Sequence, residues 1–135
     1  MRVMTDSNVL LSAALFKSPR IRLLMDILFD NHTLVLSNSV IDEVCGVVHY
    51  KFPHRLDDIE TFFATISFEY QYTPVTDDTQ IIIRDPKDRK IIAAAHLAQV
   101  DILITGDKDF FEHTYDGIEI LTPADFMNKY ANKKT

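Results

Sequence analysis

Short apolar stretches alternate along the chain with longer segments whose apolar residues recur at helical spacing. Arg2–Thr5 (RVMT) ends in the polar cluster Asp6, Ser7 and Asn8, which predicts a strand leading into a turn. Ser18 stands as an N-cap before Pro19, and Ile21, Leu24, Met25 and Leu28 then mark one face of a helix reaching Phe29. Thr33–Leu36 (TLVL) predicts a strand, and Ser37–His49 a helix with Val40, Val44, Val47 and Val48 on one face. Leu56, Ile59, Phe62, Phe63 and Ile66 form a further helical stripe, followed by an aromatic and polar stretch, Phe68–Tyr72, that Pro74 closes. The second half repeats the alternation with an alanine-rich helix over Asp88–Gln99 and a buried strand over Ile102–Ile104. A short helix over Asp107–His113, a strand over Ile118–Leu121 and a last helix capped by Thr122-Pro123 complete it.

Strands alternating with helices predict an α/β fold with a mainly parallel sheet between two helical layers, where functional groups collect beyond the carboxyl ends of the strands. The length of 135 residues fits one domain. We place it at residues 1–130, with a frayed, mildly basic end beginning near Lys129 and a short flexible tail over 131–135. The lone Cys45 excludes an internal disulfide, and no His/Cys cluster has zinc spacing, so a reducing, cytoplasmic setting is expected. The apolar run Val9–Phe16 is too short to span a membrane. A net charge of −6 argues against a broad electrostatic grip on nucleic acid. It leaves room for a carboxylate site whose bound cation supplies positive charge locally.

Four carboxylates stand out, each with a structural reading beside the chemical one. Asp6, at the exit of the first strand, either bonds nearby backbone amides or reaches a crevice as a metal ligand, with Asn8 close by. Glu43 falls beside Val47 on the margin of the valine stripe and leans toward the core, whereas Asp42 faces water; a salt bridge is the alternative for Glu43. Asp88, in Arg84-Asp85-Pro86-Lys87-Asp88, either completes a capping arrangement or binds a cation from the first turn of its helix. Asp107, in Thr105-Gly106-Asp107-Lys108-Asp109, follows a strand and either caps the short helix or joins the others. Together they suit Mg2+ or Mn2+, hard ions that take carboxylates together with phosphate oxygens and promote phosphodiester hydrolysis.

The elements Asp6-Ser7-Asn8-Val9-Leu10, Ser37–Glu43, Asp85-Pro86-Lys87-Asp88 and Thr105-Gly106-Asp107-Lys108-Asp109-Phe110 resemble, in order and spacing, those of PIN-domain nucleases. The likeness is nearest to the VapC-like toxin components of toxin–antitoxin modules. It implies a three-layer α/β/α nuclease fold, Mg2+- or Mn2+-dependent endoribonuclease activity with one or two ions, and an antitoxin seated in the active-site groove. Position by position it implies Asp6, Glu43, Asp88 and Asp107 as the catalytic, metal-binding acids, with Asp109 as a fifth. Asn8, Ser12 and Thr105 are the implied polar neighbours. Ser7 stands where Thr is common in the family.

Lys17, Arg20 and Arg22, and Arg84, Lys87, Arg89 and Lys90, offer RNA backbone contacts; a solvated helix face is the plainer reading. The apolar clusters Leu23, Leu24, Ile27 and Phe62, Phe63, Ile66 suggest a homodimer that also pairs with an antitoxin. Two other functions were weighed. An aspartyl-phosphate phosphatase would carry an acid where Asn8 stands, and a catalytically silent PIN-like domain would bind RNA or protein alone.

Overall fold

The structure, a computed structural model, describes residues 1–16, 18–74 and 86–130, and for residues 86–88 the backbone alone. Its described strands are β1 (Arg2–Thr5), β2 (Thr33–Ser37), β3 (Glu69–Gln71), β4 (Ile102–Ile104) and β5 (Glu119–Leu121). They form one parallel sheet in the order β3-β2-β1-β4-β5. The α-helices are α1 (Ser7–Leu11), α2 (Pro19–Asn31), α3 (Asn38–Lys51), α4 (Leu56–Thr65), α5 (Pro86–Leu97) and α6 (Pro123–Tyr130). The expected three-layer α/β/α architecture is present: α3 packs against α1 and α5, and α2 against α6. Among the described residues no helix is long and apolar enough to cross a membrane.

The central strands are apolar on both faces because helices cover both faces of a parallel sheet. Val3, Met4, Leu34, Val35, Leu36, Ile102, Leu103 and Ile104 are all buried. Helical periodicity supplies the covering layers: Val40, Val44 and Val48 of α3, Leu24 and Leu28 of α2, and Ile91, Ile92, Ala94 and Ala95 of α5. The N-cap expected at Ser18 is present, and Ser37, read in the sequence as the first residue of its helix, caps α3 in the same way. The Ser18 and Ser37 hydroxyls accept from the amides of Ile21 and Val40, each at 3.3 Å.

The structure corrects some local expectations and refines others. The chain enters α1 at Ser7 with no intervening turn, because the Asp6 side chain caps that helix. The following Ser12–Phe16 is π-helical, a form that often lies near functional sites. Lys129 is not part of a frayed end, since it lies in α6 and bonds Glu119; residues 131–135 lie outside the described residues. The stretch Phe68–Tyr72 holds β3, an edge strand paired with β2. The short helix after Asp107 is a 3-10 segment, Lys108–Glu112.

The strand order fixes where a site can form. From β1 the chain steps outward to β2 and β3 on one side, then returns to place β4 and β5 on the other. Beyond the carboxyl ends of β1 and β4 this reversal opens a crevice, the usual ligand position in such sheets.

Candidate active site

Asp6 follows β1 and Thr105 follows β4, so both enter that crevice from neighbouring strands. The Asp6 amide extends the pairing by donating to the Ile104 carbonyl at 3.1 Å. Its carboxylate, in a residue only 5% exposed, is held on both oxygens: Oδ1 accepts from the Val9 amide at 2.9 Å and Oδ2 from the Thr105 hydroxyl at 2.5 Å. Thr105 Oγ1 also accepts from the Asp107 amide at 3.0 Å, while Asp107 Oδ1 accepts from the Asp109 amide at 3.0 Å. One buried hydroxyl therefore joins the first acid to the loop carrying the second.

Among the described residues no Lys or Arg forms an ion pair with Asp6 or Asp107. Burial pushes the Asp6 carboxyl above its ordinary value near 3.8. The Thr105 hydroxyl and the Val9 and Gly106 amides pull it back in part, and the Asp107 carboxylate pushes it up again. All the hydrogen-bond partners given for Asp6 are hydroxyl or amide groups, so its negative charge is held by dipoles beside a second carboxylate. Such a pair attracts a cation.

The other expected residues are arranged less tightly. Glu43 is half-buried on α3 and Asp42 exposed, as their helical positions imply, yet both line one cavity between α3 and α5. Among the described residues, no three or more of His, Cys, Asp and Glu gather closely enough to hold a metal together. Asp88 lies in the first turn of α5, with its side chain outside the described residues. Asp109 is half-buried at the start of the 3-10 segment, Asn8 is exposed, and Ser12 is half-buried in the π-helix. Arg20 and Arg22 are exposed; Lys17, Arg84 and the Lys87 side chain lie outside the described residues. Arg89 departs from the free surface cation expected of it: it is half-buried, and its Nε is enclosed without a hydrogen-bond partner.

One pairing is invisible to sequence reading. The Asn38 side chain donates to the Thr73 carbonyl at 3.2 Å and accepts from the Thr73 amide at 2.8 Å, tying the start of α3 to the segment after β3. No periodicity or cap signal links residues 35 positions apart. Of the apolar clusters proposed for contacts, Leu24 and Ile27 are core and Phe62, Phe63 and Ile66 pack partly against it, while Leu23 remains 50% exposed.

A family profile described as PIN domain matches residues 2–109. No curated protein matches the sequence. Among solved structures, a chain from the crystal structure of VapBC2 from Rickettsia felis, bound to a DNA fragment from their promoter, superposes with a TM-score of 0.69. It is 17% identical, and the alignment covers 90% of this chain and 98% of that one. At such identity the likeness is one of fold.

Proposed function

The chain belongs to the PIN-domain family, and from that premise we propose that it is a divalent-metal-dependent endoribonuclease acting as the toxin of a toxin–antitoxin pair. The observation that carries the reading is the buried Asp6 carboxylate, fixed by Thr105 beside Asp107 at the strand-order reversal. A carboxylate that is buried, raised in pKa and unpaired by any cation among its hydrogen-bond partners is costly to fold around and is characteristic of functional sites.

The donor set fits Mg2+ or Mn2+, since such an ion needs only one or two carboxylates and completes its shell with waters and phosphate oxygens. When bound, the ion supplies neutralisation of phosphate charge and activation of water. The protein's own contributions follow from the geometry. Thr105 holds the Asp6 carboxylate in one orientation while leaving lone pairs free on both oxygens, and Asp107 presents its carboxylate from the next loop. Glu43 from α3 and Asp88 from the first turn of α5 complete the acidic set in this proposal, with Asp109, Asn8 and Ser12 at its edge. Arg20, Lys17, Arg84, Lys87 and Arg89 are assigned to the RNA backbone.

As a toxin the protein works in the cytoplasm and is silenced by an antitoxin, a role suggested by the fold it shares with a VapBC2 chain. We place the homodimer and antitoxin contacts on exposed apolar positions such as Leu23 and Phe16. The second reading is a silent PIN domain that binds RNA or protein without cutting it. One assay separates them. Labelled RNAs incubated with Mg2+, Mn2+ or EDTA should be cut only with the metals, and intact RNA under all three conditions would leave the silent-domain reading.

A further inference from the structure

Between α3 and α5, with Glu43 on its wall, lies a cavity of about 480 Å3, within the range of small-ligand sites. Val47 and Ile91 give it apolar walls. Gly46 also lines it, in the interior of α3, where glycine is among the poorest residues for a helix. The surrounding protein does not require a glycine there, because a Cβ built on it meets no atom within 4 Å. A side chain at this position would instead project into open cavity.

Polar groups around this space have unmet capacity. Thr73 is 7% exposed, its backbone is clamped from both sides by Asn38, and its enclosed Oγ1 has no hydrogen-bond partner. Tyr50, 85% exposed, offers a flat aromatic face, and Lys51 and Lys90 add two cations to the same lining. Asp42 and Glu43 disfavour an anion in the body of the cavity but accept well from amino groups.

We infer that this cavity seats one nucleotide of the RNA strand next to the cleaved phosphate. The base enters between the Val47 and Ile91 walls and stacks on Tyr50, and its phosphate rests on Lys51 and Lys90. Stacking on an aromatic with cations tracking the backbone is the general mode of single-strand recognition. The identity of the strand as RNA rests on the nuclease reading, while the binding of a nucleotide is measurable without catalysis.

The test uses the full chain in EDTA with an end-labelled, mixed-sequence single-stranded RNA hexamer, followed by fluorescence anisotropy. Gly46→Leu fills the cavity and should weaken binding by about tenfold or more, the size of one lost stacking contact, with a melting temperature at or above that of the parent. Because the chain has no tryptophan, Tyr50→Trp gives a single reporter whose emission should change on saturation with the hexamer. Absent binding by the parent, unchanged affinity in folded Gly46→Leu, or a silent Tyr50→Trp reporter would overturn the inference. So would loss of a co-purified antitoxin in Gly46→Leu with RNA affinity intact, which would make the cavity a protein-docking site. If the hexamer binds, Gly46→Leu weakens it, and the parent cuts no RNA with Mn2+, the nucleotide site stands and the nuclease reading falls.

Discussion

The two ends of strand β1 handle charge in opposite ways. At its start, the Arg2 guanidinium meets Glu69 at 2.5 Å and donates through Nε to the Ala98 carbonyl at 2.8 Å, and the Arg2 amide donates to Asp101 at 2.9 Å. The Arg2 guanidinium there has an opposite charge and a carbonyl against it, and the groups remain partly solvated. Directly after the strand's last residue, Asp6 is buried against a hydroxyl, amides and another carboxylate. One end is built for stability and the other stores unfavourable electrostatics, which is the usual trade at a functional site. The strand that carries both is buried and rigid, so cost at one end is borne by packing along the whole sheet.

The sharpest way to break this contrast is Asp6→Asn. On the proposed function it should lower metal-dependent RNA cleavage by about 100-fold or more, a size typical of losing one group that stabilises transition-state charge. The same change should raise the melting temperature in EDTA, because Asn keeps the cap on Val9 and removes the buried charge. Reduced stability of Asp6→Asn in EDTA would mean that the site is not strained.

Thr105→Val should cost about 1–3 kcal/mol in denaturant melts, since it leaves Asp6 Oδ2 and the Asp107 amide without their shared partner. Mn2+ should act in the opposite direction on the parent: at about 100 times its dissociation constant it should add about 2.7 kcal/mol, and this gain should vanish in Asp6→Asn. A thermal melt that ignores millimolar Mn2+ would count against a metal centre at these acids.

The pH dependence has a definite sign. The folded-state pKa of Asp6 lies above its ordinary value near 3.8, so the native state holds this proton more tightly than the unfolded chain. The ionised group costs stability at neutral pH, and that cost is relieved as pH falls through the raised value. The melting-temperature gap between Asp6→Asn and the parent in EDTA should therefore narrow between about pH 7 and about pH 4. A constant gap would remove the raised pKa as its cause.

The smallest effect is expected at the other end of β1. Arg2 and Glu69 are partly exposed, so solvent screening limits their ion pair, and Glu69→Gln should cost about 0.5 kcal/mol, less in high salt, with RNA cleavage unchanged. A loss of cleavage in Glu69→Gln would show that the two ends are coupled.

The contrast also marks the limit of reading the chain in one dimension. Burial periodicity and capping are local, and they predicted the alternating elements, the valine face of α3, the half-buried stance of Glu43 against exposed Asp42, and the cap at Ser18. The helix directly after Asp6 was missed because the polar cluster Asp6-Ser7-Asn8 reads equally as a turn or as a cap. Sequence pattern also marked Asp6 and Asp107 as candidates, since each sits where a strand gives out, and the family resemblance added Thr105. Their meeting was decided by strand order: only because β4 returns to lie beside β1 does Thr105 reach Asp6 across 99 residues. The Asn38–Thr73 clamp, the enclosed Arg89 Nε and the cavity that Gly46 leaves open likewise depend on which elements become neighbours. Local chemistry determines what each segment becomes and which face it buries, while contacts between distant segments are set by the packing of the whole sheet and its helices.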